Sequence, residues 1–383
     1  MTPILTKPSS IAAHFGGLRD PRYHHSPPHR FMDIMTIAIC AVICGANDWE
    51  AVAEFGRAKA AWLRTCLPLA NGIPSADTFS RVFGQLNPVE FEHSFINWVQ
   101  AISSLTNGEV VAIDGKSLRG SADQSHDQRA IHMVSAWASQ NRLVLGQVKV
   151  DDKSNEITAI PVLLRLLALQ GCIVTIDAMG TQTAIAAQVI QQEADYALAL
   201  KENQGHLYHE VVRLFADALA DPTGRRIPYA TAQTLNKGHG RLETRQCWTI
   251  SQPDYIKYLD PQGRWAGLQT VVKIESHRRL GDEQTSEVRY YLTSLAGDPK
   301  LLNQVIRTHW TIENQLHWGL DVAFREDDSR VRHGYAAENL AVVRHIALNL
   351  LKQEGSLKLG LQNKRLRAGW DNDYLLKVLS LLT

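Results

Sequence analysis

The chain has 383 residues, 45% hydrophobic and 21% charged, with a formal net charge of +1. That length buries a sizeable core in two or three domains, and near-neutrality leaves room for a local basic face that binds nucleic acid. The most apolar run, residues 31–46, is too short for a bilayer span and contains Asp33, and the first residues lack a secretory pattern; the expectation is a cytoplasmic protein with no membrane partner.

Residues 1–30 are rich in Pro, His and Arg and read as an irregular arm. Its histidines, His14, His24, His25 and His29, lack acidic or cysteine partners at ligand spacing. From 31 to 105 the periodicity is helical. Apolar positions Trp49, Val52, Ala53 and Phe55 share one face, Ser75 precedes a helix, and Asn87 with Pro88 opens another. The five cysteines are irregularly spaced and read as reduced thiols.

At residue 109 the pattern changes. "EVVAID", "IHMVSAWAS" and "RLVLGQVKV" are β-branched strand segments, followed by a helix over 156–171, the strand "CIVTID", a helix over 181–194 and the strand "DYALALK". The first three strands form antiparallel hairpins, and the later ones alternate with helices, which is an α/β order. Helical periodicity fades over 223–295, so residues 205–298 read as a β-rich insertion. It returns at Pro299 in one long helix to Phe324, then in 336–353. A tail follows whose Lys358, Lys364, Arg365, Arg367 and Lys377 suit a DNA backbone.

Two acids terminate apolar strands, Asp114 and Asp177. Neighbouring strands lie about 4.8 Å apart, so two such carboxylates repel unless a divalent cation or a shared proton relieves them. Hard oxygen donors favour Mg²⁺ or Mn²⁺ over zinc. Taken alone, Asp177 also reads as a helix cap. Glu313 lies mid-helix with His309 and His317 four residues to either side, a stripe that faces either a site or water.

The segments "AIDGKSLRGS", "TIDAMGTQ", "LALKENQ", "HWTIENQLHWGLDVAFREDDSRVR" and "AENLAVVRHIALNLL" resemble bacterial insertion-sequence transposases of the ISAs type, a group that includes the H-repeat-associated proteins. "GIPSADTFSRVF" is similar to the helical part that precedes their catalytic domain. The resemblance covers roughly residues 10–355. It implies a helical N-terminal domain, residues 1–105, for DNA binding or association, and an RNase H-like catalytic domain, residues 106–383, interrupted by the insertion. It also implies an Asp-Asp-Glu triad, which falls on Asp114, Asp177 and Glu313.

The implied reaction is metal-dependent cleavage at the ends of an insertion sequence, then strand transfer by the freed 3′-hydroxyl. The implied partner is double-stranded DNA with terminal inverted repeats, bound by a homodimer. Lys116, Arg119, Lys201 and Asn203 are the expected DNA contacts around the strand ends. Relatives in the wider superfamily carry a Tyr-Arg-Glu-Lys pattern around the glutamate; here Ile306, His309, Glu313 and Leu320 occupy those spacings. His309, His317, Arg325 and Arg330 are the candidates to replace the missing cations. Asp321 and the run Glu326, Asp327, Asp328 stand as alternative metal ligands. A DNA-binding remnant without catalysis is the alternative to an active enzyme.

Overall fold

The structure, a computed structural model, describes residues 8–22, 27–123, 129–151, 154–221, 223–238 and 241–382. Its N-terminal part is helical: α1 (Pro8–Phe15), α2 (Phe31–Ile43), α3 (Trp49–Ala58), the short α4 (Ala60–Leu63), α5 (Ala76–Gln85) and α6 (Pro88–Ile102). Caps fix the entries of three of them. Asp48 accepts from Ala51 N, Ser75 from Thr78 N, and Asn87 from Val89 N and Glu90 N.

The expected irregular arm is corrected here. Residues 8–15 are helical because Ile11 and Phe15, four apart, reach the core, where they are 1% and 0% exposed. Residues 1–7, His24 and His25 lie outside the described residues.

A nine-stranded sheet follows, formed by β1 (Val110–Leu118), β2 (Ile131–Ala138), β3 (Leu143–Lys149), β4 (Ile173–Ile176), β5 (Asp195–Leu200), β6 (Ala230–Gly238), β7 (Arg241–Ile250), β8 (Thr270–Leu280) and β9 (Glu283–Thr293), in the order β3-β2-β1-β4-β5-β9-β8-β7-β6. β1 to β3 are antiparallel, whereas β1, β4 and β5 run parallel. This is an RNase H-like core. Every residue from Val110 to Ile113 and from Ile173 to Ile176 is buried, as expected of parallel strands covered on both faces. The crossover helices are α7 (Glu156–Leu166) and α8 (Thr183–Gln191). α7 stops one turn earlier than its apolar pattern predicts, and Gly171, at φ +74°, belongs instead to the turn into β4.

Residues 205–298 hold α9 (Gly205–Ala220), α10 (Pro253–Leu259) and strands β6 to β9. These strands do not make a separate sheet: β9 pairs antiparallel with β5 and extends the core sheet outward. Beyond them lie α11 (Pro299–His309), a π-helical turn (Ile312–His317), α12 (Trp318–Phe324), α13 (Ala336–Gln353), α14 (Leu361–Trp370) and α15 (Asn372–Leu379).

α13 is buried along nearly its whole length, packed against α2, α5, α6 and β3. One apolar core runs from Phe15 through Trp98 and Trp137 to Leu350, so residue 105 marks a change of secondary structure and not a break in packing. Two cations of the basic tail are built in, whereas Lys358, Arg367 and Lys377 stay exposed. Arg365 is 1% exposed and donates to the carbonyls of Val42 and Ala46, and Lys364 donates to Leu351 O. These cations satisfy helix-end carbonyls and are not offered to DNA. No helix among the described residues is long and apolar enough to cross a membrane.

Candidate active site

Asp114 is not at a strand end. β1 continues to Leu118 against β2, but its pairing with β4 stops at Ile113–Ile176. Asp114 therefore sits where the two parallel strands part, and Asp177 is the first residue beyond β4. Asp177 Oδ1 accepts from Met179 N at 3.0 Å and Gly180 N at 3.3 Å, so the turn holds this carboxylate in place. α11 crosses β1 and β4 and brings Glu313 in from the π-helical turn. Asp114, Asp177, Lys201, Arg289, His309 and Glu313 line one cavity of about 290 Å³.

Among the described residues no Lys or Arg pairs with Asp114 in that cavity. Burial pushes the Asp114 carboxyl up to about 7, and Asp177, Glu156 and Glu313 push the same way against the Gly115 N–H. Partial burial also raises Glu313, opposed by the Arg289 guanidinium. Among the described residues no three His, Cys, Asp or Glu side chains converge on a single ion. Magnesium takes one or two carboxylates and completes its shell with water and substrate phosphate. The carboxylates present fit a divalent cation of that kind.

The histidines part company. A π-helical turn over Ile312–His317 lies between them, and the two imidazoles meet different partners. His309 Nδ1 lies 2.9 Å from Thr175 Oγ1 and the ring lines the cavity. His317 Nδ1 is 3.6 Å from Asp114 Oδ2, behind the cavity. Desolvation lowers both imidazoles to about 4, so each is neutral at pH 7 and neither supplies the cation expected for a phosphate.

Lys116 is corrected more strongly. Its ammonium is 2.7 Å from Asp321, 3.0 Å from Asp327 and 3.2 Å from Glu326, and its side chain is only 12% exposed. It is a structural counter-ion. The same contacts engage Asp321, Glu326 and Asp327, the alternative metal ligands. Arg325 pairs with Asp328, the remaining alternative, at 3.0 Å. Arg119 is 83% exposed and stands 3.6 Å from Asp327. Arg325 and Arg330 line a different groove, with Trp49, Asp77 and His333. Asn203 Nδ2 donates to Ala178 O at 2.5 Å and ties the β5 loop to the Asp177 turn, leaving Lys201 as the exposed cation at the cavity.

Two residues were missed. Arg289 stacks 4.3 Å over the Trp310 ring and is the guanidinium beside Glu313. Its signal was strand alternation: in "VRYYL" it shares a face with buried Tyr291. Glu156 sits beside Gly115, where any Cβ would collide with its carboxylate, and bonds His132 Nε2 at 2.7 Å. No local pattern reveals that contact.

Residues 12–99 match the family model described as DDE_Tnp_1-associated, and residues 106–350 match the Transposase DDE domain. The chain is 40% identical over 375 residues to "H repeat-associated putative transposase YhhI" of Escherichia coli (strain K12), covering 97% of each chain. It is 39% identical over 379 residues to "Putative transposase YncI" of Escherichia coli O157:H7, covering 97% of this chain and 94% of that one. A cryo-EM structure of a piggyBac transposase synaptic complex with hairpin DNA covers 97% of this chain and 76% of that one. Its TM-score of 0.41 and 10% identity carry no argument. By the match over residues 106–350 and these relatives, the chain belongs to the DDE transposase family.

Proposed function

We propose that Asp114, Asp177 and Glu313 are the acid triad of a transposase that cleaves DNA at the ends of an insertion sequence and joins the freed 3′-hydroxyl to a target. The observation that carries this reading is that three carboxylates from separate elements line one cavity, with Asp114 pushed up to about 7 by burial and by its acidic neighbours. Unlike the acids around Lys116, Asp114 has no Lys or Arg ion pair among the described residues; Arg289 acts on Glu313 instead.

Asp114, Asp177 and Glu313 would hold the divalent cations, magnesium or manganese. Those ions, when bound, supply charge neutralisation and Lewis-acid activation at the scissile phosphate. The chain's own residues do the rest. The Met179 and Gly180 N–H groups fix Asp177, Arg289 favours the ionised form of Glu313, and His309, held by Thr175, packs the helix over the sheet. Lys201 and Arg119 are free to meet phosphate. Water and then the 3′-hydroxyl are the nucleophiles, so no covalent enzyme–DNA link is needed. Paired inverted repeats call for a two-fold complex, hence a homodimer on DNA. The helices of residues 1–105 are the proposed surface for end binding or association, and the proposed location is the cytoplasm, on the nucleoid when DNA is bound.

The test is cleavage of DNA carrying the inverted repeats that flank the reading frame. Cleavage is expected with Mg²⁺ or Mn²⁺, none with EDTA, and none for Asp114→Asn, which still binds DNA. Cleavage by wild type in EDTA, or by Asp114→Asn at the wild-type rate, overturns the reading.

A further inference from the structure

The outer strands carry a charge pattern that the triad does not use. Register places residues in rows on one face: Arg289, Ile274 and Cys247; then Glu287, Ser276, Arg245 and Thr234; then Thr285, Arg278, Glu243 and Asn236; then Glu283, Leu280 and Arg241. α11 covers the near end of this face, where Leu302 and Ile306 pack on Cys247, Val272 and Ile274. The outer rows are more open, with Arg241 and Arg278 about half exposed, and Arg307 reaches toward them from α11.

There a single carboxylate, Glu243, 6% exposed, is ringed by Arg245 at 2.9 Å, Arg278 at 3.7 Å, Arg241 at 3.9 Å and Arg307 at 4.0 Å. Glu287 pairs with Arg289 at 2.7 Å, and Glu283 lies in the outermost row. Five guanidiniums thus face three carboxylates. Burial would raise the Glu243 carboxyl, but Arg245, Arg278 and Arg307 outweigh it and hold it below the usual range.

Two donors in adjacent rows are buried without an acceptor, Arg245 Nη1 and Asn236 Nδ2. The Arg245 side chain is 7% exposed. A buried donor left unpaired is costly, so this pair, amid excess positive charge, favours an anionic oxygen nearby. The rows are about 7 Å apart, near the axial rise of two phosphates on one strand. Arg289 is shared with the acid cavity, so the track is continuous with it.

We propose that Arg289, Arg245, Arg278, Arg241 and Arg307 form a phosphate track that grips the backbone of the DNA strand entering the acid cavity. The proposal rests on the DNA reading above but not on catalysis. Glu243 holds the guanidiniums at fixed spacing, and Arg245 stays as its buried partner while the outer three meet phosphates.

The test uses the full chain and a fluorescein-labelled duplex of arbitrary sequence, titrated at several salt concentrations. Changing Arg241, Arg278 and Arg307 together to Gln is expected to weaken binding and to flatten the salt slope by about 1 per arginine. Changing the same three to Lys is expected to retain most of the slope, with thermal melting showing both variants folded. A Gln variant that melts like wild type and keeps its affinity and slope overturns the proposal. So does a Gln variant that binds DNA normally but loses binding to labelled polyglutamate, which would make the track a site for an acidic peptide. Cleavage is scored separately: an altered slope without any wild-type cleavage removes the catalytic reading and leaves this one standing.

Discussion

Asp114 and Lys116 lie two residues apart, on the same side of one strand, in opposite electrostatic settings. Around Lys116 three acids, Asp321, Glu326 and Asp327, meet an internal cation, and Arg344, 3% exposed, adds a second beside Glu326 at 3.6 Å. Around Asp114 the acids meet none at contact distance; Arg289 acts on Glu313 from the rim. The difference teaches which acidic cluster is structure and which is a site. A neutralised cluster holds the helix α12 and its following turn to β1. An uncompensated one waits for charge from outside.

The largest effect expected from breaking this contrast is at Lys116. Lys116→Met leaves three carboxylates facing one another and costs roughly 3–5 kcal/mol, read as a shift of the urea midpoint. A variant as stable as wild type that only loses DNA affinity would make Lys116 a DNA contact after all.

Asp114→Asn acts in the opposite direction. The folded carboxyl sits at about 7 against an ordinary 3.8. Its contribution to stability is therefore full below 3.8 and is lost as pH rises through about 7. Without metal, the Asn variant should be more stable than wild type at pH 8, by up to about 4 kcal/mol, and no more stable at pH 3.5. Magnesium should narrow the gap. Equal melting of the two proteins at pH 8 in EDTA contradicts the uncompensated reading.

Arg289→Gln removes the cation that favours ionised Glu313. The acid limb of the cleavage profile should move to higher pH and the rate fall about tenfold, a loss near 1.4 kcal/mol. An unchanged profile would leave Arg289 as a packing group for Trp310. The smallest change is Thr175→Val, which deletes one hydrogen bond to His309 at a cost of about 1 kcal/mol. Cleavage should slow without a change in Mg²⁺ dependence; a changed metal requirement would assign His309 a direct part in cation binding.

Much of the frame was legible in the sequence because it rests on local rules. Runs such as "VVAI" and "IVTI" are short, apolar and β-branched, which identifies them as strands, and Asn87-Pro88 reads as a helix opening. Two acids following two such runs were visible for the same reason. What stayed hidden depends on contacts distant in sequence. Lys116 reads as a phosphate ligand until Asp321, Glu326 and Asp327 arrive from residues far along the chain. Arg365 reads as a basic tail until it is found against the carbonyls that end α2. The π-helical turn has no composition signature, and four-residue spacing does not tell that His309 lies against Thr175 while His317 lies against Asp114.

The most direct test is Mn²⁺ binding by electron paramagnetic resonance at pH 8, above the point where Asp114 ionises. It compares wild type with Asp114→Asn and Asp321→Asn in the presence of duplex DNA. Wild type and Asp321→Asn should bind the ion, and Asp114→Asn should lose most of that binding. Loss in Asp321→Asn with retention in Asp114→Asn would put the metal in the cluster around Lys116 and contradict the assignment of Asp114, Asp177 and Glu313.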